Sequence, residues 1–156
     1  MKSVLSVRTL LSLLSFALVA APAAAQQGIT FEQAQTAMNA AQAEAQSNGW
    51  NLTILIADAD GVPIYVRRMQ GASPRTHEIA TRKVMTALAS GMATGDYGQA
   101  LAAGRVAEVP NGVTFEGGYP ISMGGQIVGA MSSSGATGAQ DAQAVRAGLA
   151  AIGIRP

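Results

Sequence analysis

Residues 52–57, Leu-Thr-Ile-Leu-Ile-Ala, limit what this chain can fold into more than any other stretch. Leu52, Ile54 and Ile56 alternate with Thr53, Leu55 and Ala57. Successive side chains of a strand point to opposite faces, so this reads as a β-strand with both faces largely buried. Asp58-Ala59-Asp60-Gly61 follows with turn chemistry. Val62, Ile64 and Val66 then give a second strand, and Pro63, which has no N–H, places that strand at a sheet edge.

Helical spacing occupies the flanks. Thr30 with Gln33 three residues on is a capping-box pattern. Phe31, Ala34, Ala37, Met38, Ala41 and Ala45 then repeat on one face, and Asn48-Gly49 ends the helix. Ser73-Pro74 reads as a helix start, serine as cap and proline in the first turn. His77, Ala80, Val84, Ala87, Leu88 and Gly91 share its apolar stripe. Asp96 is a candidate cap for a short helix through Ala103. Gly117-Gly118-Tyr119-Pro120 and Gly124-Gly125 punctuate short strands. Gln126–Ser132 is the clearest later strand, and Gly129 inside it marks a bulge or a close approach. A last helix covers Gly138–Ile152, with Ala142, Val145 and Leu149 on one face.

The start of the chain predicts export. Lys2 and Arg8 precede an apolar run, Leu10–Ala21, broken only by Ser12 and Ser15; Pro22 and Ala23-Ala24-Ala25 follow. The run is shorter than the ~20 residues of a spanning helix and matches a secretory signal peptide over residues 1–25. The expected product, residues 26–156, is a single domain in the periplasm or secreted, with no membrane span. Losing Lys2 and Arg8 leaves 8 basic against 9 acidic residues, a net charge of −1. That balance gives no electrostatic ground for nucleic-acid binding.

Few residues can carry chemistry. There is no cysteine and one histidine, which excludes disulfides, thiolate nucleophiles and a two-histidine metal site within one chain. No G-x-G-x-x-G follows a strand, and neither a P-loop nor a G-x-S-x-G elbow is present. Asp58-x-Asp60-Gly61 lacks the remaining ligands of a calcium loop. Ser132-Ser133-Ser134-Gly135 is either an anion-holding turn or a plain strand-to-helix connection. Arg67 and Arg68 end a strand, so one can face a pocket and the other water. His77 is either a core histidine or a ligand.

The order of short patterns resembles the GlcG/HbpS family of haem-binding proteins. The resemblance runs from about Ile29 to Leu149. It is carried by Ile56-Ala57-Asp58-Ala59-Asp60-Gly61, Val66-Arg67-Arg68-Met69-Gln70-Gly71-Ala72 and Ala80-Thr81-Arg82-Lys83-Val84-Met85-Thr86-Ala87. Glu116-Gly117-Gly118-Tyr119-Pro120-Ile121, Ile127-Val128-Gly129-Ala130, Ser134-Gly135 and Gln140-Asp141 complete it. The resemblance implies a three-layer α/β/α fold, an antiparallel five-stranded sheet flanked by helices, and assembly into a homo-oligomer. It also implies haem, or a related tetrapyrrole, as cofactor.

The family has no uniform axial ligand, so the ligand is argued from chemistry. Imidazole and phenolate both hold haem iron, which makes His77 the first candidate and Tyr119 and Tyr97 the alternatives. Arg68 and Lys83, inside matched patterns, are candidates for the two propionates. Two functions are expected from different classes. One is an exported haem-binding protein, for scavenging or sensing. The other is an enzyme, or enzyme accessory, acting on a small metabolite through Lys83, Thr86 and the glycine-rich strand ends. No nucleophile–base pair is visible for the second.

Overall fold

The computed structural model describes residues 28–155; the leader lies outside the described residues. Within them the chain runs α1 (Phe31–Ser47), β1 (Thr53–Asp58), β2 (Pro63–Arg68), α2 (Arg75–Ser90), α3 (Thr94–Ala102), β3 (Gly118–Met123), β4 (Gln126–Ser134) and α4 (Gly138–Ala151). The sheet is wholly antiparallel, in the order β2-β1-β4-β3. It has four strands, where the family resemblance implies five. Residues 103–117 add none: Pro110 has no donor, and a tight turn closes from the Gly112 N–H to the Val109 carbonyl. Asn111 there sits at φ 57°, outside extended backbone.

β1 is central and buried on both faces. Ile54 and Ile56 join Ala37, Met38, Ala41, Val145 and Leu149 in one core, beneath α1 and α4. Leu55 and Ala57 face the other way, onto Ala80, Val84 and Ala87 of α2. The proline-led strand β2 is at an edge, as its missing donor requires. Gly129 marks a close approach: a Cβ there would collide with the Ala57 carbonyl oxygen of β1. The neighbouring β3 ladder slips by one residue at Ile121/Ser122.

Capping boxes open α1 (Thr30 with Gln33) and α4 (Thr137 with Gln140). The predicted start of α2 is corrected. Pro74 is the capping residue and no side chain caps the helix; Ser73 instead offers its carbonyl to the N–H and hydroxyl of Thr76. Asp96 lies in the first turn of α3, and Ala93 is the cap. No helix among the described residues is long and apolar enough to cross a membrane.

Candidate functional site

The end of α2, strand β3, helix α4 and the C-terminal tail line a surface groove of about 680 Å³. α2 stops at Gly91, whose φ of 68° turns the chain into Met92 and Ala93. β3 contributes Tyr119, Pro120 and Ser122, and α4 contributes Arg146. The tail enters because α4 closes in a Schellman motif. The Gly153 N–H donates to Ala150, the Ile154 N–H donates to Leu149, and Gly153 adopts φ 77°. That reversal places Ile154 and Arg155 on the groove wall. Arg146 Nη1 donates to the Tyr119 phenol oxygen at 2.9 Å. Met92, Ala93, Pro120 and Ile154 are apolar wall. Arg146 and Arg155 outweigh Asp96 in charge.

A buried ion pair lies deeper. Lys83 Nζ is 2.7 Å from Asp141 Oδ2 and donates to the Ser133 carbonyl at 2.8 Å. Its charge sits 5.1 Å from the centre of the Phe115 ring. Burial holds the Lys83 ammonium below its ordinary range, against the opposing pull of Asp141 and Glu116. Burial likewise raises the Asp141 carboxyl, against Lys83 and the Ala136 N–H. Gly117, at φ 110°, passes so close that a Cβ would stand 2.5 Å from Lys83 Nζ. The pair therefore ties α2, β4 and α4 together beneath the entry to β3.

The sequence candidates do not share one site. His77 is exposed on α2. The buried face of that helix is centred on Thr76, Ala80, Lys83, Val84 and Ala87, so the predicted stripe is displaced at its first residue. Thr76 takes the inward place because its hydroxyl bonds Thr53 at 2.7 Å and Ser73 at 2.6 Å. Lys83 does not form a basic rim; it is buried, and its ammonium is taken up by Asp141 and the Ser133 carbonyl. Tyr97 is buried and accepts the Val109 N–H at 2.8 Å. Arg68 is on β2 and Tyr119 on β3, the opposite edges of the sheet. Three strand spacings separate these edges, roughly 14 Å. Thr86 also works internally, donating to the Arg82 carbonyl and accepting the Val113 N–H.

The serine run serves packing. The Ser132 hydroxyl donates to the Ala80 carbonyl and the Ser133 hydroxyl to that of Asp141. Asp58 caps its own turn through the N–H groups of Asp60 and Val62. Among the described residues no group of three or more histidine, aspartate or glutamate side chains is placed to hold a metal ion. Arg146, Arg155 and Met92 escaped sequence reading. The local signals beside them were Gly91 and Gly153, each just past a helix and suited to reversing the chain.

Known proteins of related sequence and fold match most of the described chain. Protein GlcG of Escherichia coli strain K12 is 37% identical over 105 residues, 66% of this chain and 78% of that protein. The crystal structure of HbpS superposes with a TM-score of 0.72 at 31% identity, covering 79% of this chain and 89% of that one. The crystal structure of a PduOC–haem complex gives 0.74 at 27% identity, covering 80% and 94%. The family described as haem degrading protein HbpS-like matches residues 29–150. With its sheet order, its paired-glycine entry to β3 and its whole described core inside that match, the chain belongs to the HbpS-like family.

Proposed function

We propose that this protein binds haem in the groove between β3, α4 and the chain's tail, with Tyr119 as the iron ligand. The observation that carries this reading is the bond from Arg146 to the Tyr119 phenol oxygen at the wall of an open, partly apolar groove. That bond fixes the phenol oxygen in place at the groove wall. Tyrosine is an established haem ligand, and the groove's size falls in the range of ligand sites. Met92, Ala93, Pro120 and Ile154 suit a porphyrin face. Arg155, with the remaining donors of Arg146, suits propionates. Bound haem would supply an iron centre; the chain's own residues orient it and hold its charge. The family and the neighbouring haem complex support the same cofactor.

Export to the periplasm or beyond, and assembly into a homo-oligomer, belong to the same proposal. A leader of signal-peptide form supports the first. Exposed Val62, Met85 and Ile127 support the second, since they leave apolar surface that a second copy would cover. A haem carrier or sensor outside the cytoplasm fits both. The metabolite-enzyme reading draws less support, because Lys83 and Thr86 are already engaged inside the fold.

The test is a hemin titration followed in the Soret band. Wild-type protein should saturate at a fixed stoichiometry. Tyr119→Phe should shift the Soret maximum and weaken binding at least about tenfold, on the order of 1.4 kcal/mol. His77→Ala should leave both unchanged. A shift on losing His77 but not Tyr119 would move the ligand to α2, and no saturable change in wild type would remove the function.

A further inference from the structure

A second groove, of about 550 Å³, lies at the β2 edge of the sheet. Trp50 and Met69 supply apolar wall; Gln42, Gln46, Arg67 and Arg68 supply polar groups. Its centre is Arg67. Nη1 donates to the side-chain oxygens of Asn39 and Gln42, and Nη2 donates to the Tyr65 phenol oxygen at 2.6 Å. The guanidinium carbon lies 5.2 Å from the Tyr65 ring centre. Three uncharged acceptors thus hold the group half-buried in one orientation.

None of them neutralises it. Among the described residues the ion pair is Lys83 with Asp141, and no described carboxylate stands within 4.0 Å of Arg67 or Arg68. The bonds described use three of a guanidinium's five N–H donors. A rigid, half-buried cation with donors to spare beside an indole is complementary to an anion with a flat apolar body. Arg68, anchored to the Ala72 carbonyl at 2.7 Å, adds a second positive charge at the mouth.

We infer that the groove between α1 and β2 is a binding site for a small carboxylate with an apolar or aromatic body, recognised by Arg67 and walled by Trp50. The site is separate from the haem groove and does not rest on the haem reading. It lies at the opposite edge of the sheet and shares no lining residue with that groove.

The chain's one tryptophan makes the test direct, because intrinsic indole fluorescence reports this groove alone. Purified protein is titrated with benzoate and, separately, with benzamide, its uncharged analogue. The expected result is a saturable change in Trp50 emission with benzoate and none with benzamide. Arg67→Gln should weaken the benzoate response at least about tenfold while the far-ultraviolet circular dichroism stays native. The wild-type comparison of the two ligands decides the matter even if the variant fails to fold. An absent benzoate response, an equal response to benzamide, or a folded Arg67→Gln protein that binds benzoate normally would each overturn the inference.

Discussion

Replacing Lys83 with methionine should be among the most damaging single changes in this protein. The two side chains of the ion pair are 0% and 3% exposed, so water does not screen them. Lys83→Met keeps the volume and removes the cation. It leaves the Asp141 carboxylate with the Ala136 N–H, and the Ser133 carbonyl without its ammonium donor. Breaking a buried pair from one side costs about 3–5 kcal/mol. Domains of this size have about 5–15 kcal/mol in total. Removing both charges, in Lys83→Met/Asp141→Asn, should recover much of the loss, because no buried charge is then orphaned.

Urea unfolding followed by circular dichroism measures all three proteins, with a common slope as the check on two-state behaviour. The sign with pH is also set. Burial raises the Asp141 carboxyl above its ordinary 3.8, and Lys83→Met removes the cation that opposes this. The carboxyl's favourable contribution is then complete below 3.8 and lost as pH rises through its folded value. The Lys83→Met deficit should therefore shrink on acidification. In Asp141→Asn the orphan is Lys83, held by burial below 10.5. Its contribution is complete above 10.5 and lost as pH falls through the folded value, so that deficit should shrink on raising pH. A Lys83→Met cost under about 1 kcal/mol, the scale of an exposed pair, would refute the reasoning. So would a double variant no more stable than the single one.

Other outcomes are equally open to measurement. Gly129→Ala should cost about 1–3 kcal/mol, as overpacking does, read as a lower urea midpoint at constant slope; a wild-type midpoint would show that β1 yields. Mass spectrometry of the exported product should give a chain beginning at Gln26; retention at full length inside the cell would contradict the leader. Light scattering at micromolar concentration should give a multiple of the chain mass, and the monomer mass alone would argue against assembly.

The elements that sequence exposes are those fixed by local chemistry. Both alternating faces of residues 52–57 are apolar, and β1 is buried on both. Thr30 and Gln33 announce a capping box, and it forms. What sequence misplaces depends on neighbours far along the chain. His77 and Thr76 are adjacent and equally consistent with the stripe of α2; the Thr53 hydroxyl, on another element, is the distant partner that helps turn Thr76 inward. Lys83 falls at a spacing that suits the buried face, yet its carboxylate partner arrives 58 residues later. Nothing local announces that a lysine will be internal. The Tyr119–Arg146 bond likewise joins β3 to α4, and Arg155 reaches the groove only through the reversal at Gly153. Tyr119 could be named from its residue type; its company could not.

The strand order also governs when this protein can fold. β1 pairs locally with β2 and β3 locally with β4, so two hairpins can form early. The centre of the sheet is different. Thr53 pairs with Ser134, and all of α2, α3 and β3 lies between them. Loop closure over that span is entropically costly and slows the step that completes the core. On the ribosome β1 emerges long before β4, and one side of it stays without a strand partner throughout. The apolar residues 52–57 are therefore the segment most exposed to mispairing with another chain during synthesis. A chain interrupted before Gln126 would carry that open edge permanently.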